Sequence, residues 1–250
     1  MKPKTALVTG ASRGIGRAIA VQLALDGFRV AVHYHSNRSA AEETLGAVRG
    51  NEHVLLCANL TEPDGAGALA GAALKECNGR VDVLVHNAGV YLPTPLLENE
   101  DFKTWQRDVR THMQLNFLAG ADLAYLLAPA MAEAGWGRII QIASRAGLRG
   151  EARFSGYSAS KAAQINFTKS LAVELAPRGI GCFAIAPGWV ATEMSAEALA
   201  REGNEIRAGI PAGRVAAPEE IAQLVSYLVT PAADYLTGNT IDINGASYLH

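Results

Sequence analysis

The chain reads as one doubly wound α/β domain, a seven-stranded parallel sheet with helices on both faces. Three observations lead there. Short apolar runs alternate with segments of helical period along all 250 residues, and parallel strands need such helical crossovers, which cover both faces of the sheet. The first apolar run ends in a glycine turn, Gly10-Ala11-Ser12-Arg13-Gly14-Ile15-Gly16, and strand, glycine turn, helix is how a nucleotide-binding βαβ unit begins. No linker, repeat or low-complexity segment interrupts the chain, so residues 1–250 form a single unit with its ligand outside the carboxyl ends of the strands.

Taken in order, Thr5 to Thr9 form the first strand, and the helix after the glycine turn runs to about Asp26. Gly27 closes that helix, Phe28 to Tyr34 supply the second strand and Arg38 to Arg49 the second helix. His53 to Cys57 are the third strand, and Thr61-Glu62-Pro63 starts a helix with proline where a first turn tolerates it. Val81 to His86 are the fourth strand, and Pro93 and Pro95 mark a loop. From Asp101 a helical region runs to about Ala134, as one helix or two. Ile139 to Ala143 read as a buried fifth strand, Gly156 to Pro177-Arg178-Gly179 as a helix and Ile180 to Ala186 as the sixth strand. Residues 189–211 have poor periodicity and two glycines, Gly203 and Gly209, and read as a mobile substrate lid. Pro218 to Val229 form the last helix and Thr240 to Ile243 the seventh strand.

Composition narrows the function classes. A net charge of −2 gives no basic excess for nucleic acid. Cys57, Cys77 and Cys182 are too far apart for a zinc or redox motif and read as reduced and buried. The apolar run after Met1-Lys2-Pro3-Lys4 is too short for a signal-peptide core, and no run approaches the roughly 20 residues of a membrane helix. The expectation is a cytoplasmic protein without membrane or metal. His33 and His35 share a strand face, but no third ligand accompanies them.

The chemistry concentrates in two stretches. Glycines at 10, 14 and 16 allow a tight turn and close approach of backbone to a pyrophosphate, whose charge suits a helix N-terminus. The same residues spell Gly10-x-Ser12-x-Gly14, a hydrolase nucleophile-elbow pattern, although such an elbow follows several strands and here no HGGG-type loop accompanies it. NAD sites place an acid at the end of the second strand to hold the ribose 2′-hydroxyl. His33-Tyr34-His35-Ser36-Asn37-Arg38 contains none, while Arg13 and Arg38 supply cations, which predicts NADP(H). In the second stretch, Tyr157 and Lys161 lie four apart on one helix face, about 6 Å along the axis. Ser144 ends the preceding strand, so a phenol, an ammonium and a hydroxyl can share one crevice.

Thr9-Gly10-x3-Gly14-x-Gly16, Asn87-Ala88-Gly89, Asn116, Ser144, Tyr157-x3-Lys161 and Pro187-Gly188 stand in the order and spacing of the short-chain dehydrogenase/reductases. The resemblance covers essentially the whole chain and implies a Rossmann fold. It is strongest to the 3-oxoacyl-[acyl-carrier-protein] reductases, in Ala11 to Gly16 and in Tyr235-Leu236-Thr237-Gly238-Asn239-Thr240-Ile241-Asp242-Ile243-Asn244-Gly245. It implies Tyr157 as proton donor, Ser144 as donor to the substrate oxygen, and Lys161 as a ribose ligand that lowers the tyrosine pKa. It implies Asn116 holding a water that refills the proton through Lys161. Cofactor contacts are implied for Gly10, Ser12, Arg13, Gly14, Ile15, Gly16, Ser36, Asn37, Arg38, Asn59, Leu60, Asn87, Ala88, Gly89, Tyr157, Lys161, Pro187, Gly188, Val190 and Thr192. Asn59 stands where the family usually has aspartate.

The implied reaction is NADPH-dependent reduction of a 3-oxoacyl thioester on an acyl carrier protein. An acyl-CoA, small ketone, sugar or quinone is the alternative. A non-catalytic nucleotide-binding relative would have lost members of Asn116, Ser144, Tyr157 and Lys161, which are all present. An acidic carrier protein needs a basic docking surface. Arg178 matches one such position, the Gly135-Trp136 region lacks the other, and Arg145, Arg149 and Arg153 form a second basic group. The resemblance also implies a homotetramer, and Leu118, Ala119, Leu123, Leu126 and Leu127 form a stripe for the core or a subunit contact.

Overall fold

The structure, a computed structural model, describes residues 3–50, 52–98 and 101–250. Seven strands lie in the order β3-β2-β1-β4-β5-β6-β7, and every neighbouring pair is parallel. They are β1 (Thr5–Val8), β2 (Arg29–Tyr34), β3 (Val54–Cys57), β4 (Val83–His86), β5 (Gly137–Ile142), β6 (Ile180–Pro187) and β7 (Thr240–Ile243). The order reverses between β1 and β4, and ligands of doubly wound folds bind at that switch point. Adjacent strand residues point to opposite faces, so one strand feeds two cores. Val8, Val32, Val85 and Ile140 pack under α1 (Gly14–Leu25) and α9 (Pro218–Leu228), whereas Leu7, Leu84, Ile139 and Cys182 face α3 (Gly65–Glu76) and α5 (Ala119–Glu133).

The remaining helices are α2 (Arg38–Ala47), α4 (Phe102–His112), α6 (Ala146–Arg149), α7 (Ser155–Leu175) and α8 (Glu193–Ala208). Three readings are corrected, and a fourth, residues 189–211, gains an element. α3 begins later than Thr61, because Asn59 Oδ1 accepts hydrogen bonds from the Thr61 amide and hydroxyl, and the tight turn that follows leaves no room for a Cβ at Gly65, 1.9 Å from Asn59 O. Residues 189–211 hold a helix, started by a capping box between Thr192 and Ser195 and kinked at Glu202. Cys57 is exposed, donating its thiol to His35 O, while Cys77 and Cys182 are buried. Finally, Phe102–Glu133 contains a stretch long and apolar enough to cross a membrane. That stretch packs against the sheet through Ala119, Leu123, Leu127 and Met131, leaving Leu118 and Leu126 partly exposed and Tyr125 exposed.

Between α4 and α5, Met113–Leu118 is a π-helical segment. A widened turn frees backbone carbonyls from the regular ladder, and those of Leu115 and Asn116 both lie 3.2 Å from His86 Nε2 at the end of β4.

Candidate active site

A cleft with two lobes, about 1330 and 880 Å³ measured to the open surface, lies at the carboxyl ends of the strands. Ile15, Asn87, Gly89, Thr192 and Met194 line both. The larger lobe is built on the glycine turn. Gly10 and Gly14 take φ of 61° and 52°, a left-handed backbone that favours glycine. A Cβ on Gly16 would stand 2.3 Å from Gly10 O. Three side chains hold this turn. His33 Nδ1 accepts from the Gly10 amide at 3.1 Å, and His33 Nε2 faces Ala58 O at 3.2 Å. A carbonyl only accepts, so the ring proton sits on Nε2; burial supports the neutral form by lowering the pKa to about 4. Asn87 Nδ2 donates to Thr9 O and Gly10 O, and Arg17 donates to Ser12 O and Ala40 O. No acid occupies the first turn of α1, so its amides and dipole present an anion site.

The smaller lobe brings together Ser144, Tyr157 and Lys161. Ser144 follows β5, and its Oγ accepts the Ala146 amide at 3.1 Å in the lobe it shares with the Tyr157 side chain. Lys161, 5% exposed, donates from Nζ to Ile142 O at 2.8 Å and lies 5.6 Å from the Tyr157 ring centre. Burial pushes Tyr157 up to about 12, against the lowering influence of the Ser144 hydroxyl, and brings Lys161 down to about 7. The expected lowering of the tyrosine by Lys161 does not appear: removal from water raises the phenol and lowers the ammonium.

Residues 4–203 match the family described as short chain dehydrogenase. The chain is 39% identical to a 3-oxoacyl-[acyl-carrier-protein] reductase of Synechocystis sp., covering 97% of this chain and 96% of that protein. It is 36% identical to the corresponding reductase FabG of Vibrio cholerae over 100% and 99% of the two chains. The protein belongs to the short-chain dehydrogenase/reductase family. Its fold superimposes on the crystal structure of YwfH, an NADPH-dependent reductase involved in bacilysin biosynthesis, with a TM-score of 0.90 at 26% identity over 99% of both chains. The enzyme is an oxidoreductase.

In this dehydrogenase/reductase, most sequence-predicted residues line the cleft. Gly10, Ser12, Arg13, Gly14, Ile15, Ser36, Asn37, Asn59, Leu60, Asn87, Ala88 and Gly89 line the larger lobe, and Pro187, Gly188, Val190 and Thr192 the smaller. Gly16 acts from beneath, by its missing Cβ. Arg38 departs from expectation: it pairs with Glu42 at 2.8 Å on exposed α2 and does not line the cleft, leaving Arg13 as the cation there. Asn59 is also committed, holding Thr61 and donating to Glu62.

Asn116 is fully buried, and both its amide protons are engaged, with Val90 O at 3.2 Å and Ser160 Oγ at 3.0 Å. Its Oδ1 accepts from the Val90 amide at 2.8 Å. Ser160 passes the link on, donating to Tyr157 O. The amide thus ties the loop after β4 to the turn of α7 that carries Tyr157, and it does not line the cleft. His33 is no base for Ser12 as a hydrolase nucleophile, since both its nitrogens are engaged.

Sequence reasoning missed the groups that orient Tyr157. Tyr91 stacks on Phe154, with ring centres 3.9 Å apart, and meets Tyr157 edge-on at 4.8 Å; His112 meets it edge-on at 6.0 Å. It also missed His86, whose Nδ1 faces the Thr9 hydroxyl that accepts the Asn87 and Ala88 amides, and whose pKa burial lowers to about 3. Only the position of Tyr91, two residues after Asn87-Ala88-Gly89, hints at a place beside the cleft.

Proposed function

We propose that the enzyme reduces a ketone to a secondary alcohol with NADP(H), and that the ketone is a 3-oxoacyl thioester borne by an acyl carrier protein. The observation that carries the reaction is the meeting of Ser144, Tyr157 and Lys161 in a lobe continuous with the glycine turn. The cofactor fits the chain: the missing Cβ of Gly16, the left-handed Gly10 and Gly14 and the acid-free helix start make a pyrophosphate cradle. Arg13, Ser36 and Asn37, with no carboxylate lining that end of the lobe, suit a 2′-phosphate. When bound, NADPH supplies the hydride.

The protein's own part is to orient the carbonyl and move a proton. Ser144 donates to the substrate oxygen, holding it where negative charge develops. Tyr157, with its pKa near 12, is fully protonated at neutral pH and gives its hydroxyl proton to that oxygen. Lys161 stands beside it to bind the ribose. Asn116 and Ser160 position the helix turn, and Tyr91 and His112 fix the ring.

The thioester reading rests on the names and full-length similarity of the two reductases described above. Of the basic group near the mouth, Arg149 pairs with Glu151, Arg153 with Glu98, and Arg145 is buried, so none offers a free surface cation. Arg178 makes no ion pair among the described residues, but it follows the 21-residue α7 at the end away from the cleft, about 30 Å along the helix. A carrier protein docked there serves the cleft of a neighbouring subunit, which ties this reading to the homotetramer. The second reading, an acyl-CoA or free ketone, is favoured by that neutralised mouth. We place the enzyme in the cytoplasm, with 189–211 moving as the substrate lid.

The test is NADPH oxidation against acetoacetyl thioesters on carrier protein and on CoA, beside a panel of simple ketones. Turnover fastest with the carrier-bound thioester is expected. Equal or better turnover of free ketones would remove the carrier protein from the assignment, and a preference for NADH would remove the phosphate site.

A further inference from the structure

Two arginines are buried in this protein, and they differ in one respect. Arg138, 1% exposed, donates to Leu228 O, Gly137 O, Thr230 O and the Asp234 carboxylate, and stacks 4.7 Å from the Trp136 ring centre. Its charge and its donors are answered within the fold. Arg145, 8% exposed, has a single side-chain partner among the described residues, the Ser247 hydroxyl. No carboxylate pairs with it: the nearby acid, Glu151, is held in a fork by Arg149 at 3.0 to 3.4 Å. A guanidinium carries five donors, and burying a charge without a partner is costly. The donors that Ser247 leaves free are open to a ligand in the lobe that Arg145 lines.

Arg145 has a place for that ligand. It immediately follows Ser144 and lines the same lobe as Ser144, Tyr91, Tyr157 and Trp189. Its backbone is pinned by the Arg145 amide to Pro187 O at 3.1 Å, and its side chain is braced by Ser247 from the segment after β7. Glu151 lines the lobe too, with its carboxylate held by Arg149, whereas Arg145 has no ion-pair partner among the described residues.

We propose that Arg145 is a specificity-determining residue: it donates to a second oxygen of the substrate, an acyl oxygen beside the ketone that Ser144 and Tyr157 hold. The inference rests on the ketone-reduction reading of this site, and it selects oxo-acyl compounds over ketones that lack the second oxygen. Both a thioester carbonyl and a carboxylate present that acceptor, and charge favours the carboxylate.

Three methyl ketones separate the possibilities: acetoacetate, the acetoacetyl thioester of N-acetylcysteamine, and 2-pentanone. Wild-type enzyme is expected to prefer the first two. Arg145→Met should lower kcat/KM for those two by about 10- to 100-fold, the range of a hydrogen bond to a charged group, and leave 2-pentanone within about threefold. Arg145→Lys should recover part of the loss. An equal loss on all three ketones would make Arg145 a structural residue, and no loss would make it a bystander; either overturns the inference. If Arg145→Met fails to fold, judged by melting and NADPH fluorescence, Arg145→Lys decides by the same split between substrates.

Reduction of acetoacetate without reduction of either thioester would support Arg145 while sinking the thioester assignment, so the two readings fail separately. If no ketone turns over, calorimetric titration of acetoacetate into the enzyme with NADP+ decides. Binding weakened tenfold or more by Arg145→Met sustains the inference, and wild-type binding absent or unchanged in the variant ends it.

Discussion

The two lobes of the cleft are built on opposite principles. Around the glycine turn the holding groups are already matched inside the protein: His33 uses both nitrogens, Thr9 and Asn87 bond the backbone, and Arg17 bridges Ser12 to α2. In the catalytic lobe the buried groups keep donors in hand. Lys161 has one acceptor, Ile142 O, and Arg145 one hydroxyl. The first lobe is a mould whose shape is set by satisfied hydrogen bonds. The second holds incompletely matched charge, which costs stability and is available for chemistry.

The largest effects should separate the lobes. Tyr157→Phe removes the proton donor and should lower kcat by about 10² to 10⁴-fold, with NADPH affinity by fluorescence titration within a few fold. A large loss of affinity instead would mean that the two lobes are not separable. Lys161→Met should also abolish most turnover, yet raise stability. The lysine sits near 7 in the folded enzyme against its ordinary 10.5. The unfolded chain therefore binds the extra proton between those values, and the penalty is full below about 7 and fades as pH rises to 10.5. The stability gain of Lys161→Met, on the order of a few kcal/mol at most, should be larger at pH 6 than at pH 10. A pH-independent gain in denaturant melts would contradict the buried-charge account.

The mould should fail differently. His33 stays neutral down to about 4, and His86 to about 3, against an ordinary value of 6.5. Unfolded histidines bind protons first, so stability is intact above about 6.5 and declines as pH falls toward 4. His33→Leu leaves the Gly10 amide without its acceptor, at about 1 to 3 kcal/mol. The expected result is weaker NADPH binding by roughly tenfold, a flatter acid limb of the melting curve, and little change in kcat at saturating cofactor. A kcat loss matching that of Tyr157→Phe would erase the division between mould and reactive lobe.

How much of this is legible in the sequence follows from what periodicity reports. The 3.6-residue period places Tyr157 and Lys161 on one face, and the alternation of strands and helices places Ser144 and the glycine turn at the same sheet edge. Period tells which way a side chain points and nothing about what meets it. His33 and Gly10 are 23 residues apart, and Arg145 and Ser247 are 102 apart. Arg38 reads as a cofactor cation because a sequence does not say that Glu42, four residues on, takes it first. Asn116 reads as a water holder because its amide partners, Val90 and Ser160, come from two other segments. The helix after Thr192 is hidden because its start depends on a capping box and its interior carries a kink and Gly203.

The smallest expected effect concerns a residue that belongs to neither design. Glu193, exposed in the first turn of α8, brings its Oε2 to 3.4 Å from the position a Cβ would take on Gly14. There it faces the anion cradle with the wrong charge for a pyrophosphate, while suiting its own helix dipole. In water one unit charge at about 4 Å is worth about 1 kcal/mol. Glu193→Gln should therefore tighten NADPH about fivefold at low ionic strength, and the gain should vanish in high salt, where the Debye length is about 3 Å at 1 M. Fluorescence titration at two salt concentrations reads both. An unchanged dissociation constant at low salt would mean that the start of α8 carries the carboxylate away as cofactor binds, which would make that helix terminus a moving part of an otherwise fixed mould.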